Sequence, residues 1–140
     1  MKKLFLILII SAACLSFQNP PKKHYLAYDI IIDSKEASLA AWQVKIDFHT
    51  NTRILSIEGG ESDSFNEPPF YDNEAMEYGS IIIANFTTEE TNLPTNTTRV
   101  ARIMIEVTGD PTELKAALQA VADQNSKRIK ANLTLKKVQK

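Results

Sequence analysis

The chain has 140 residues, with 16 Lys and Arg against 17 Asp and Glu and a formal net charge of −1. That near-neutral balance excludes the basic footprint of a nucleic-acid binder, so no nucleic-acid partner is expected. The single cysteine, Cys14, excludes a disulfide-stapled scaffold, and stability has to come from a packed core.

The first 18 residues read as an export signal. Lys2 and Lys3 make a positive start, Leu4 to Ile10 an apolar core, and Ser11-Ala12-Ala13 a small-residue cleavage site. The apolar run is far shorter than the roughly 20 residues of a spanning helix. Cys14 follows directly, and the arrangement resembles a bacterial lipoprotein signal, with Ser11 where that pattern has leucine. Two outcomes stand: cleavage before Cys14 with lipidation there, or ordinary cleavage and secretion. Leu15, rather than aspartate, follows Cys14, so a lipidated form is expected at the outer membrane of a Gram-negative cell. Membrane contact would then run through the lipid anchor alone.

Past Cys14 there are 126 residues, enough for one domain with one core. Residues 19–24, rich in proline and lysine, read as a tether. Residues 25–138 read as a single domain. Tyr25 to Asp33 is a strand with Leu26, Tyr28, Ile30 and Ile32 on one face. Ser34 to Ser38 is a polar turn, predicting antiparallel pairing with the next strand, Leu39 to Phe48. There Ala40, Trp42, Val44, Ile46 and Phe48 alternate with Gln43, Lys45 and Asp47. Ile54 to Glu58 is a shorter strand stopped by Gly59-Gly60, and a long polar loop follows.

Ser80 to Phe86 is apolar on both sides near its start, which predicts a central strand. Arg99 to Gly109 places Ala101, Ile103, Ile105 and Val107 inward and Arg102, Met104 and Glu106 outward. Asp110-Pro111-Thr112-Glu113 has the form of a helix start, and Leu114, Ala117, Leu118 and Val121 fall at helical spacing. A short helix over 111–123 is predicted from them. A last strand spans Arg128 to Val138. The predicted fold is an all-β antiparallel sandwich with one short helix.

Charge is segregated along the chain. From Ile54 to Thr98 there are nine acidic residues and no Lys, Arg or His, whereas Arg99 to Lys140 holds nine Lys or Arg against four acids.

The order of strands resembles cohesin-like domains, jelly-roll β-sandwiches related in fold to some carbohydrate-binding modules. The segments that carry it are Tyr28-Asp29-Ile30-Ile31-Ile32-Asp33, Leu39 to Phe48, Ile54 to Gly60, Ile81 to Phe86 and Arg99 to Val107. The resemblance implies a non-catalytic module binding a protein partner or a glycan through loops or a sheet face. Cohesins themselves bind dockerins in extracellular enzyme complexes.

Catalytic constellations are missing from the pattern. His24 belongs to the tether and His49 to a solvated turn, neither with a metal-ligand partner at helical spacing. No phosphate loop, zinc signature or Gly-x-Ser-x-Gly element occurs. Asp123-Gln124-Asn125-Ser126-Lys127 begins like a calcium loop but fails at its fifth, glycine and final positions, so it reads as a turn.

The candidate binding loop lies between the third and fourth predicted strands. Its members are Glu58, Glu61, Asp63, Phe65, Glu67, Phe70, Tyr71, Asp72, Glu74 and Tyr78. Carboxylates beside aromatics suit a cationic peptide or a sugar, and hard oxygens suit a structural calcium ion; no other cofactor is called for.

The leading expectation is an exported or cell-envelope module that binds a protein. The alternatives are a carbohydrate-binding module, which the core position of Trp42 weakens, and a structural lipoprotein without a small-molecule ligand.

Overall fold

The structure is a computed structural model describing residues 18–139; the export signal and Cys14 lie outside the described residues. Its strands are β1 (Lys23–Asp33), β2 (Ala41–Asp47), β3 (Thr52–Gly59), β4 (Phe70–Tyr71), β5 (Ser80–Phe86), β6 (Thr97–Thr108), β7 (Lys115–Ala122) and β8 (Asn132–Lys137). Two short 3-10 turns, Asp63–Phe65 and Asn73–Glu77, interrupt the loop after β3. Two four-stranded sheets, ordered β3-β6-β1-β8 and β4-β5-β2-β7, pack face to face, and every pairing is antiparallel. The all-β sandwich is as the alternation predicted.

The core lies between the sheets because period-2 alternation gives each strand one apolar face. Ile30 and Ile32 of β1, Trp42, Val44 and Ile46 of β2, Ile81 and Ile83 of β5, and Ile103 and Ile105 of β6 are all buried there.

Several local expectations are corrected. Lys23 and His24 do not belong to a tether: they begin β1, opposite Thr108 and Val107. The cause is a salt link, because Lys23 Nζ sits 3.2 Å from the Glu106 carboxylate. Glu106, expected to face water, is only 6% exposed, covered by Lys23 and by Arg53 at 3.1 Å.

β1 and β2 do not form a hairpin. Buried Ser34 receives a bond from nothing on β2; instead its N–H donates to Asn96 O at 3.0 Å, and Leu39 N–H donates to Pro94 O at 2.9 Å. These bonds carry the chain across the top of the core into the opposite sheet. β5 has a neighbour on each side, but one of them, β4, meets it only through Phe70↔Ala84 and Tyr71↔Ile83. Ile82 is exposed rather than covered because it points to the outer face of the sheet, over which no further layer packs.

The predicted helix over 111–123 is strand β7. Its pairing with β2 slips between Gln43 and Val44, so Gln43 faces Ala120 while Val44 faces Leu118. Gln119 is the extra residue of a β-bulge, and its Oε1 accepts from Gln43 Nε2 at 2.8 Å. Inward positions thus run Leu114, Ala116, Leu118 and then Val121. The bulge stretches one two-residue step to three, and a broken strand period reproduces most of a helical stripe. The apparent helix start is tied to Asn51 instead: the Thr112 hydroxyl donates to Asn51 Oδ1, and the Asn51 side chain donates to the carbonyls of Thr108 and Asp110.

This registration has a test. Ala116→Asp should cost about 2–3 kcal/mol by burying an unpaired carboxylate, and Ala117→Asp, on the outer face, under about 0.5 kcal/mol. A helical stripe through residue 117 would give the opposite order in urea unfolding.

The outer face of β3-β6-β1-β8 carries an alternating charge row, Lys136, Asp29, Arg102 and Glu58, in register across the four strands. Arg102 Nε lies 2.6 Å from Asp29 Oδ1 and its second terminal nitrogen 3.1 Å from Oδ2. The bidentate bond from Arg102, aided by the charges of Arg102, Arg99 and Lys136, holds the Asp29 carboxyl below its usual range. Glu106 is lowered likewise, first by the bond from Lys23 and then by Tyr25 and Arg53.

Both carboxyls titrate lower folded than unfolded, so the unfolded chain binds protons first as pH falls. Their stabilisation is complete above the ordinary carboxylate range near about 4 and is lost below it as the folded groups protonate. Thermal melts between neutral and acid pH should show a midpoint that falls on the acid side, with a shallower fall in Asp29→Asn.

Candidate binding surface

The outer face of β4-β5-β2-β7 differs from the charged face opposite. Ile82, Ala84 and Phe86 of β5 point outward, and the register sets them beside Lys45, Gln43 and Ala41 of β2. β7 adds Ala117, Ala120 and Ala122 in the same rows, and Phe70 of β4 lies beside Ala84. Phe70 and Phe86 stack with ring centroids 5.8 Å apart and planes at 16°. Phe70 is 64% exposed, Phe86 59% and Ile82 47%. Small alanines around them keep the face flat.

One end of this face is polar. Asp47, Ser80 and Lys115 share a row, and Lys45 Nζ lies 3.0 Å from Asp47 Oδ1. Bonds from Lys45 and Ser80, with the charge of Lys115, lower the Asp47 carboxyl. The face thus joins an apolar patch to one charged end.

The predicted loop residues divide among several places. Phe65 is buried, its ring meeting Trp42 edge-on with centroids 6.4 Å apart, so it serves the core and not a ligand. Tyr71 is half-buried against the same core. Glu61 accepts the Arg99 N–H at 2.8 Å, and Asp72 caps the second 3-10 turn through the Glu74 N–H at 2.9 Å. Glu58 ends the charge row beside Arg102.

Asp63 and Glu67 are exposed on the flank. Glu74 and Tyr78 line a shallow hollow of about 600 Å³ with Arg53 and Leu55, to which the stacked rings do not contribute. Phe70 alone joins the apolar face. Among the described residues no three His, Cys, Asp or Glu side chains converge to hold a metal ion.

The other sequence candidates have local roles. His49 is exposed after β2, as expected. Asp123 Oδ1 accepts the N–H groups of Asn125 and Lys127, both at 2.9 Å, so that segment is a strand-to-strand turn. Sequence reasoning did not single out Ile82, Phe86 or the alanines of β7. Their signal was present in the doubly apolar run of β5 and in Ala117, Ala120 and Ala122, read as strand.

No family model and no curated protein matches the chain. Solved structures do. A non-cellulosomal cohesin from the archaeon Archaeoglobus fulgidus superposes with a TM-score of 0.57 at 12% identity, over 79% of this chain and 75% of that one. A chain of a type I cohesin–dockerin complex from Clostridium thermocellum gives 0.54 at 14%, covering 86% and 89%. The seventh ScaB type I cohesin of Pseudobacteroides cellulosolvens gives 0.53 at 12%, covering 75% and 73%. The class so defined is the antiparallel β-sandwich. Within it, this chain has the cohesin-like jelly-roll fold.

Proposed function

We propose that this protein is an exported, non-catalytic binding module that docks a protein partner on the outer face of β4-β5-β2-β7. The observation that carries this reading is the Phe70–Phe86 stack beside Ile82. Three large apolar side chains lie open to water on one flat sheet face, where a solitary domain has no use for them. Its likeness in fold to cohesins, one of them a member of a cohesin–dockerin complex, supports a protein as the occupant. Anchorage at Cys14 completes the reading and places the module at the cell envelope.

Full-length tagged protein should capture a partner from envelope extracts of its own cells. Phe86→Glu and Ile82→Glu should each weaken that capture by about 30-fold, the effect of losing a hot-spot contact near 2 kcal/mol. Melting temperatures should stay unchanged, because both side chains are exposed. Equal capture by wild type and both variants would sink the proposal, and retention by polysaccharide gels that depends on Phe70 would redirect it to a glycan. Radioactive palmitate should label the wild type and leave Cys14→Ser unlabelled.

A further inference from the structure

The fold turns the charge segregation of the sequence into a spatial one. β3 and β4 edge the two sheets on one flank, and β8 and β7 edge them on the other. The first flank carries the chain from Glu58 to Glu77, with seven carboxylates. The second carries Lys115 of β7, Lys127, Arg128 and Lys130 of the connecting segment, and Lys136 and Lys137 of β8. The edge strands of each sheet stand three spacings, about 14 Å, apart.

Only part of this charge is met internally, where Lys136 lies beside Asp29, Lys115 beside Asp47 and Glu58 beside Arg102. The ion pairs among the described residues involve Asp29, Asp33, Asp47 and Glu106 as acids, and none of the six cations just named. Each flank also ends in sheet edges with unpaired backbone groups, and on β8 the lysines discourage indiscriminate strand addition. Two basic flanks repel, as do two acidic ones, so a two-fold contact of like flanks is disfavoured. A head-to-tail contact alone brings opposite charges together.

We propose that the basic β7–β8 flank of one copy docks on the acidic β3–β4 flank of a second copy. The contact is heterologous and propagates as a ring or an open row, depending on the rotation per copy. It leaves Ile82, Ala84 and Phe86 of the outer face of β4-β5-β2-β7 free, and it stands independently of the partner proposed above.

Sedimentation of the protein in a non-ionic detergent tests it, because such a detergent leaves the charges unscreened. At about 10 mM ionic strength, where the Debye length is about 30 Å, the mass should rise with concentration. At about 1 M, where that length is about 3 Å, it should fall to one chain. Reversal of the basic flank (Lys130→Glu, Lys136→Glu, Lys137→Glu) should give single chains at low salt. Reversal of the acidic flank (Glu67→Lys, Glu74→Lys, Glu77→Lys) should do the same.

An equimolar mixture of the two altered proteins should associate again, but only in pairs, because one keeps its seven-carboxylate flank and the other its six-cation flank while the altered flanks are left near neutral. All six positions are exposed, and circular dichroism checks folding. Should a reversal melt early, Lys130→Gln, Lys136→Gln and Lys137→Gln replace it and should weaken association at least about tenfold, one decade per 1.4 kcal/mol. Single chains of wild type at low salt, association that survives high salt, or a mixture that stays dissociated would each overturn the proposal.

Discussion

Trp42→Ala should lower the unfolding free energy by about 3–5 kcal/mol, a large share of the roughly 5–15 kcal/mol typical of a domain. Trp42 is 2% exposed on β2, with Asn85 opposite on β5 and Val121 opposite on β7. Truncation leaves a cavity that two flanking strands, fixed by their own ladders, cannot close. The edge-on contact with Phe65 disappears with it, so the 3-10 turn of Asp63–Phe65 loses its hold on the core. Trp42→Phe should cost far less, since it keeps the ring and removes an indole N–H that has no hydrogen-bond partner. Urea unfolding followed by circular dichroism compares the three, because Trp42 is the sole tryptophan and fluorescence would be lost.

Gly59→Ala should cost about 3 kcal/mol, the upper end for overpacking, and should act on the loop before the sheets. A Cβ at residue 59 would overlap the Asn66 carbonyl and stand 2.7 Å from Glu67 O, both backbone atoms. Gly60 N–H donates to Phe65 O at 2.6 Å, so the chain from 59 to 67 is folded tightly back on itself. Prying it open to admit a methyl group pulls Phe65 from the core and shifts Phe70, which follows on the same loop. Protease cleavage within 61–69 should therefore speed up well below the temperature of global melting. Gly109→Ala is the contrast: φ is +84°, yet nothing crowds the added carbon, and a loss of about 1 kcal/mol is expected from conformation alone.

Much of the sandwich is legible from alternation. In β2 a clean two-residue period coincides with burial, because each face has a fixed destiny, core or water, whereas in β6 it is broken where Val100 and Ala101, and then Ile105, Glu106 and Val107, are buried in succession. β7 escaped because one inserted residue, Gln119, makes its period look helical, and nothing local distinguishes a bulge from a turn of helix. The crossing at Ser34 was hidden for another reason: its partners, Pro94 and Asn96, are some sixty positions away.

The candidate loop was legible as a composition but not as a site. Phe65 and Phe70 stand five positions apart in the same acidic stretch, yet one is core and the other open to solvent. The apolar face was the least legible feature. It is composed across β4, β5, β2 and β7 by pairing register, and its alanines carry no signal until their strands are aligned.

β1 also determines how the molecule bears a mechanical load. It enters at Lys23, runs to Asp33, and is flanked by antiparallel neighbours through eleven paired positions with β6 and six with β8. Tension on the chain ahead of Lys23, resisted by a partner seated on the opposite sheet, is directed along this strand. Such a pull shears the rungs, loading them together, whereas peeling would break them singly. Forced unfolding is governed by the barrier rather than by equilibrium stability, and here the barrier requires many hydrogen bonds to yield at once. A pull on the chain ahead of Lys23 therefore meets the sandwich in shear.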